Sequence, residues 1–166
     1  ACGLRAVVAD LDALALARII GEQSPNTMQV VLDLGAGGFR LHAFAQGRLQ
    51  YSRAHQAEVA SVAGPSALSS QVAEPAPPRS LVQEVRRAIQ LFLISTACEQ
   101  EVVIKLVGGQ AAQPGLAAAI SSACGRPVTP VQPLADLTIH ARVAPAAWLA
   151  SVPQLALACA LAMRSE

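Results

Sequence analysis

The spacing of apolar residues changes along this chain, from a strand-like pattern in its first part to a helix-like pattern in its second. A nearly continuous apolar run at residues 28–34 predicts a buried central strand. Residues 39–45 and 48–53 predict two more strands, and the Gln46-Gly47 pair between them is typical of a two-residue hairpin turn. We therefore expect three antiparallel strands in immediate succession.

A helical period begins at residue 80. Apolar side chains recur there three or four residues apart up to residue 96, which predicts an amphipathic helix. Pro114 is well placed to start a second helix, because its missing N–H is harmless in the first turn. The other predicted elements are a fourth strand at 102–107, the helix from Pro114 to about residue 124, a fifth strand at 128–131 and a final helix at 154–163. The final helix is apolar nearly all round, so we expect it to be buried.

The chain is predicted to form one domain with four parts. Residues 4–9 predict a short strand, and Asp10 or Asp12 can cap a helix that continues to about Ile20. Residues 59–79 are rich in proline and serine and show no period, which predicts a flexible loop that protease should cut first. The parts are a lead-in strand and helix at 1–26, a three-stranded meander at 27–58, this loop at 59–79, and a helix–strand half at 80–166.

The order of the predicted elements is that of a ribonuclease-H-like fold. It predicts an α/β domain with a mixed five-stranded sheet and helices on both faces, in which the glycines that follow the strands meet at one end of the sheet. We expect the core to contain Leu32, Leu34, Val85, Ile89, Phe92, Ile104, Leu106, Leu157 and Leu161.

Composition and charge narrow the function classes. The 166 residues are 53% hydrophobic and 14% charged, which excludes a disordered chain. A net charge of +1 without a Lys/Arg block gives no footprint for nucleic acid or for a polybasic membrane patch. The most apolar run, residues 155–163, is too short to cross a bilayer, which takes roughly 20 residues.

Cysteine and histidine residues are scattered and form no CxxC pair, so we expect neither a zinc site nor a redox motif. Cys98, Cys124 and Cys159 fall in or beside helical patterns, which favours reduced thiols and a cytoplasmic chain. The sequence begins without methionine just before an apolar strand, and we expect it to have been cut from a longer protein.

The first segment with candidate chemistry is the glycine-rich turn after the first long strand, Asp33-Leu34-Gly35-Ala36-Gly37-Gly38-Phe39. A phosphate needs several backbone N–H groups and no side chains in the way, and an adjacent carboxylate such as Asp33 can hold magnesium through water. The simpler interpretation is a β-hairpin whose glycines only permit positive φ, with Asp33 bonding to the turn.

A second candidate segment, Val107-Gly108-Gly109-Gln110, follows the fourth predicted strand. Two glycines between a buried strand and a helix allow a flat ligand such as adenosine to approach the backbone. The alternative is an ordinary tight turn.

Together, in this order and separated by one amphipathic helix, the two segments resemble the type IV pilus assembly protein PilM family, relatives of the cell-division protein FtsA. Asp33 to Leu41 is similar to that family's second phosphate motif, and Leu106 to Ala111 with Pro114-Gly115-Leu116 is similar to its adenosine motif. The resemblance covers almost the whole chain. It implies one ribonuclease-H-like lobe of an actin-like fold, in which two lobes hold ATP and magnesium.

The resemblance also implies a role. PilM-like proteins are cytoplasmic adaptors, peripheral at the inner membrane, that bind a cytoplasmic peptide of the membrane protein PilN. The site residues carried over are Asp33, Gly35, Ala36, Gly37, Gly38, Phe39, Gly108, Gly109 and Gln110, with Asp33 as the magnesium residue.

Three departures from the family pattern bear on ATP. These 166 residues do not include a first lobe, the turn reads Gly37-Gly38-Phe39 where a small hydroxyl residue is usual, and residues 54–79 occupy the place of a helical subdomain that contributes to the adenine pocket. We therefore expect no tightly bound cofactor, and ATP with magnesium only in a longer protein.

The resulting hypothesis is a non-catalytic PilM-like adaptor lobe whose partners are a PilN-like protein, a missing N-terminal lobe or a second copy. The alternative is an ATP-dependent actin-like ATPase or kinase that needs the missing lobe. A ribonuclease-H-like nuclease is disfavoured, because such enzymes need several carboxylates around two metals and the fourth strand ends without one.

Three other features have structural interpretations. His42 alternates with Arg40 and indicates a partly exposed strand residue. Trp148 is interpreted as a core or interface plug, and Arg86 with Arg87 as a solvated helix face.

Overall fold

A computed structural model describes residues 9–21, 24–56, 79–133 and 152–164. The elements are α1 (Asp12–Ala17), β1 (Thr27–Gly35), β2 (Gly38–Ala45), β3 (Arg48–Gln56), α2 (Arg79–Thr96), β4 (Glu101–Val107), α3 (Leu116–Cys124), β5 (Val128–Pro130), a 3-10 turn (Val152–Leu155) and α4 (Ala156–Ala162). Their order from β1 onward is the predicted order. The predicted strand at 4–9 lies outside the described residues except for Ala9, and so does the loop at 59–79 except for Arg79, which begins α2. Trp148 lies outside them as well.

The strands form a five-stranded mixed sheet in the order β3-β2-β1-β4-β5. β1 pairs antiparallel with β2, and β2 with β3, because short hairpin turns join them. β4 lies parallel to β1, which the chain leaves through β2, β3 and α2, and parallel to β5, to which α3 connects it. The predicted mixed five-stranded sheet is confirmed.

Helices cover both faces of the sheet. Side chains of successive strand residues point to opposite faces, so Leu32 packs with Phe92 of α2 while Val31 packs with Leu16 of α1. α2 and α3 lie over the first face, and α1 and α4 over the second. Each face has its own hydrophobic cluster, and the sheet separates them.

Burial confirms most of the predicted core. The predicted residues of β1, β4 and α2 are all at most 2% exposed. In α4 the prediction is wrong for Leu161, which is 44% exposed, and Leu157 is only partly buried. α4 packs most closely through Ala156 and Ala160, which are one turn apart, so Leu157 is only partly covered and Leu161 faces outward.

The ends of several elements differ from the prediction. α1 stops at Ala17, and the N–H groups of Arg18 and Ile19 reach back only three residues in a tightened turn. Neither Asp10 nor Asp12 caps α1, because Leu11 occupies the N-cap position, and both carboxylates pair with arginines.

The start of α3 and the ends of two strands also differ from the prediction. α3 begins at Leu116 rather than Pro114, because the left-handed Gly115 (φ 74°) precedes it. β3 runs three residues further than predicted, to Gln56, and β5 stops at Pro130 rather than residue 131. Among the described residues, no helix is long and apolar enough to cross a membrane.

Candidate functional site

The glycine-rich turn joins β1 to β2 at one end of the sheet. Gly35 pairs with Gly38, so Ala36 and Gly37 form a two-residue loop that is exposed to solvent. Gly38 has φ 141°, which side chains rarely allow. A Cβ on Gly37 would meet nothing within 4 Å. The backbone of this loop is therefore open to an approaching group.

Asp33 lies at the foot of the turn, opposite Arg40 in the β1–β2 register. Its carboxyl group is partly buried, and the loss of hydration raises its pKa above the usual value. The positive charges of Arg40 and His42 oppose that rise. Among the described residues, no group of three or more histidine, cysteine or acidic side chains is placed to hold a metal ion.

The second segment lies against the first on the β4 side. The backbone N–H of Gln110 donates to the Leu34 carbonyl at 3.3 Å, and its side-chain amide donates to the Gly35 carbonyl at 2.9 Å. Gly108 has φ 94°, and a Cβ there would lie 2.6 Å from both Asp33 Oδ1 and the Leu34 carbonyl oxygen. Gly108 is thus required for the close contact between the two segments.

Gly109 has a different environment. A Cβ there would meet nothing within 4 Å, and the residue is exposed. The two glycines predicted that a ligand could approach the backbone closely. At Gly108 that space is filled by Asp33 and Leu34 of the protein itself, while the surface at Gly109 stays open.

On the β3 side of the glycine turn lies an open groove of about 300 Å³. It is lined by Asp33, Gly35, Gly37, Gly38, Phe39, Arg40, Ala54, His55 and Gln56. Gly108, Gly109 and Gln110 do not line it. The structure therefore brings all the predicted site residues to one end of the sheet, but on two flanks of the same hairpin.

Phe39 turns its side chain into the core and is 2% exposed. Its ring stacks on His55, with centroids 4.9 Å apart and an angle of 11° between the planes. Burial and the neighbouring Arg53 lower the pKa of His55. In the turn Gly37-Gly38-Phe39, where the resemblance implies a small hydroxyl residue, this chain has two glycines and an apolar side chain packed inward.

Arg40 and Asp12 were not among the predicted site residues. Arg40 lines the groove, and its Nη1 donates to Asp12 Oδ2 of α1 at 2.9 Å. The β1–β2 hairpin places Arg40 opposite Asp33, on the same face of the sheet. No local sequence pattern linked Arg40 to Asp12 of α1, which lies 28 residues earlier. His55 and Gln56 were missed because the third strand was predicted to end before them.

His42 is buried, at 2% exposure, so the expectation of a partly exposed residue was wrong. The reason is that α1 covers this side of the sheet. His42 Nδ1 lies 3.0 Å from Ser52 Oγ, and its Nε2 has no hydrogen-bond partner. Burial lowers its pKa, against the opposing charges of Asp12 and Asp33.

A family model described as type IV pilus assembly protein PilM matches residues 55–166. A solved PilM-PilN type IV pilus biogenesis complex is similar in fold, with a TM-score of 0.69 and 21% identity over 95% of this chain and 52% of that one.

Two more solved structures share the fold at lower identity. The ethanolamine utilization protein EutJ from Carboxydothermus hydrogenoformans has a TM-score of 0.54 and 13% identity over 93% of this chain and 53% of that one. A Bacteroides thetaiotaomicron protein with actin-like ATPase fold and unknown function has a TM-score of 0.51 and 9% identity over 92% of this chain and 44% of that one. The chain thus spans about half the length of these proteins or less.

Proposed function

Since the chain belongs to the type IV pilus assembly protein PilM family, we propose that it acts as a non-catalytic adaptor lobe of a type IV pilus or related secretion or competence machinery, with a degenerate nucleotide site. The observation that carries this proposal is the position of Phe39. In the turn Gly37-Gly38-Phe39, where the family resemblance implies a small hydroxyl residue that would donate to phosphate, the only side chain is that of Phe39, which is 2% exposed and packs in the core.

The charges around the groove support the same proposal. Asp33 is the single carboxylate among the described residues that line it. Arg40, which would meet a phosphate, is paired with Asp12. The turn at Gly109 offers adenosine an open surface, but Gly109 does not line the groove beside the glycine turn. The hairpin thus fits an oxyanion, but the described residues give it few donors beyond the backbone.

The proposed partner is a PilN-like membrane protein bound through its cytoplasmic peptide, with the adaptor cytoplasmic and peripheral at the inner membrane. The similarity to a PilM-PilN complex supports the partner class. Exposed apolar side chains also support binding to another polypeptide. Leu14 and Met163 are 45% and 56% exposed and line a shared groove between α1 and the end of α4.

Calorimetric titration with ATP and magnesium tests the degenerate site. We expect a dissociation constant in the millimolar range or weaker, about −4 kcal/mol or less favourable, because little surface would be buried around the ligand. Asp33→Ala and Gly109→Val are the comparison variants, and both should change this weak binding little. Micromolar binding that both substitutions abolish would overturn the adaptor proposal.

The second candidate function is an ATP-dependent actin-like ATPase or kinase whose other lobe supplies the missing groups. What favours it is the intact backbone of the site, in which Gln110 fixes the second segment against Gly35 at 2.9 Å. Phosphoryl transfer depends on positioned charges on both sides of the phosphates. ATP turnover by a longer protein that contains both lobes, lost in Asp33→Ala, would favour this candidate.

A further inference from the structure

Arg40 is the one permanently charged cation among the described residues that line the groove beside the glycine turn. A guanidinium presents a fork of N–H donors that suits phosphate or carboxylate oxygens. In this structure one arm of the fork is engaged elsewhere, because Nη1 donates to Asp12 Oδ2 at 2.9 Å. The cation that would help the turn to bind an anion is thus held by another element.

The Asp12–Arg40 pair joins the first residue of α1 to β2. It is largely solvated, with side-chain exposures of 35% for Asp12 and 53% for Arg40. Water screens such pairs, so their net stability is small and their partners exchange easily. An oxyanion at the turn and the Asp12 carboxylate are therefore comparable ligands for the same guanidinium.

The other charges nearby act against an incoming anion. Asp33 faces Arg40 across the β1–β2 pair, and Asp12 adds its own negative charge from α1. His42, on the same face, contributes no full positive charge when neutral. While Arg40 stays with Asp12, an anion at the backbone N–H groups meets two carboxylates and a guanidinium whose charge is already paired with one of them.

We propose that Asp12 is an intramolecular competitor for Arg40, so that the glycine turn binds an oxyanion only as the Asp12–Arg40 pair opens. This deepens the proposed function, since it rests on the degenerate nucleotide site and names what regulates it. The ligand class is a di- or triphosphate oxyanion, and α1 is the element that controls access. Movement of α1 relative to the sheet then changes anion affinity without any change in the turn.

The test is a titration of the 166-residue chain with pyrophosphate, followed by the amide NMR signals of Gly35, Gly37 and Gly38. Pyrophosphate carries no base, so the surface at Gly109 does not contribute. Asp12→Asn should tighten binding about two- to fivefold, the range that an exposed ion pair supports. Arg40→Gln should weaken binding. Adding Asp12→Asn to Arg40→Gln should not change the pyrophosphate affinity further.

Glu101→Gln is the control for net charge, since it also removes one carboxylate but lies at the opposite end of the sheet, where Glu101 pairs with Thr27 at the start of β1. It should leave pyrophosphate affinity within the error of the measurement. The proposal is overturned if Asp12→Asn has no effect, or if it tightens binding equally in the Arg40→Gln background, which would mean that only the general charge matters. Amide spectra that stay dispersed establish that each variant is folded.

A parallel titration with ATP and magnesium separates this proposal from the proposed function. Micromolar ATP binding by the unsubstituted chain would sink the degenerate site. The ratio of pyrophosphate affinities between Asp12→Asn and the unsubstituted chain would still decide the role of Asp12. Tightening for pyrophosphate but not for ATP would assign the site to inorganic oxyanions, and tightening for both would assign it to nucleotide phosphates.

Discussion

At the scale of single residues, Gly108 is where the two candidate segments constrain each other most tightly. Its φ of 94° disfavours any side chain, and a Cβ would lie 2.6 Å from the Leu34 carbonyl oxygen. Gly108→Ala should therefore lower the free energy of unfolding by about 1–3 kcal/mol, measured by urea denaturation. It should also shift the amide signals of Leu34 and Gly35.

The neighbouring Gly109 is the control for that substitution. Its φ is not in the left-handed region, and space around it is open. Gly109→Ala should change stability by no more than about 0.5 kcal/mol. Equal losses at both positions would show that the turn is strained as a whole and that the contact with β1 is not the cause.

His42 provides a second prediction, on pH. Burial lowers its pKa in the folded state, so the unfolded chain binds the proton more readily. The stability that the neutral imidazole contributes is complete above its unfolded pKa, roughly 6.5, and is lost as pH falls through the lower folded value. The urea concentration at the unfolding midpoint should therefore decrease as the pH is lowered from 7 to 5. The decrease should be smaller in His42→Gln.

Two other groups have to be separated from this effect. The pKa of His55 is also lowered, so His55→Gln serves as the control and should retain most of the loss below pH 6.5. Asp33 acts in the opposite direction. Its pKa is raised in the folded state, so the folded chain binds the proton more readily than the unfolded chain, and the stability that this contributes is lost as pH rises. A midpoint that responds equally to both histidine substitutions contradicts the assignment to His42.

Residue-scale chemistry was predictable from sequence where it depended on neighbours in the chain. The glycine turn and the Gly108 turn were each visible as short segments, and their meeting followed from the order of strands. The Asp12–Arg40 pair and the burial of His42 were not, because both depend on where α1 lies over the sheet. Charges 28 residues apart carry no periodic signal.

At the scale of secondary structure, α2 offers a comparison within one helix. Phe92 is fully buried and contacts Tyr51, with ring centroids 5.1 Å apart, whereas Ile94 is 79% exposed. Phe92→Ala should cost about 3–5 kcal/mol of stability through lost burial and a cavity. Ile94→Ala should stay within about 0.5 kcal/mol. Chemical denaturation of both variants gives the difference directly, and similar values would contradict the helix orientation.

The period of apolar residues predicted α2 well and α4 poorly. In α2 the polar positions mark the outer face, so the buried stripe could be identified from sequence. In α4 nearly every residue is apolar, and the sequence gives no outer face. The structure buries Ala156 in the cluster on the sheet and Ala160 beside Arg18 at the end of α1, because small side chains allow close packing, and it leaves Leu161 exposed. A strongly apolar helix is thus not a sufficient sign of complete burial.

At the scale of the whole molecule, the sheet separates two layers that are held by different forces. α2 and α3 are fixed by a large hydrophobic cluster. The hydrophobic cluster under α1 and α4, on the opposite face of the sheet, is smaller. Hydrogen bonds and ion pairs also hold this layer. Arg18 of the α1 C-terminus donates through Nη1 to the Ala160 carbonyl at 3.2 Å and through Nη2 to Asp10 at 2.6 Å. Arg164 also lies near Asp10, at 3.4 Å.

This difference predicts that Arg18→Met loosens one layer and spares the other. Loss of the bond to the Ala160 carbonyl should lower stability by about 1–2 kcal/mol. In hydrogen exchange, the amides of α4 should then open more often, while those of α2 keep their protection because their cluster does not include Arg18. Arg87→Met, at an exposed position of α2, is the control and should change neither layer.

Asp10→Asn should loosen the same layer as Arg18→Met, and its effect should depend on pH. The Arg18 guanidinium lowers the pKa of Asp10, so the ionised carboxylate stabilises the fold above roughly pH 3.8 and that contribution is lost as pH falls through the lower folded pKa. The difference between Asp10→Asn and the unsubstituted chain should accordingly shrink in acid. If both layers exchange faster in Arg18→Met and in Asp10→Asn, the sheet does not isolate them, and a change in α1 at the glycine turn would reach α2 as well.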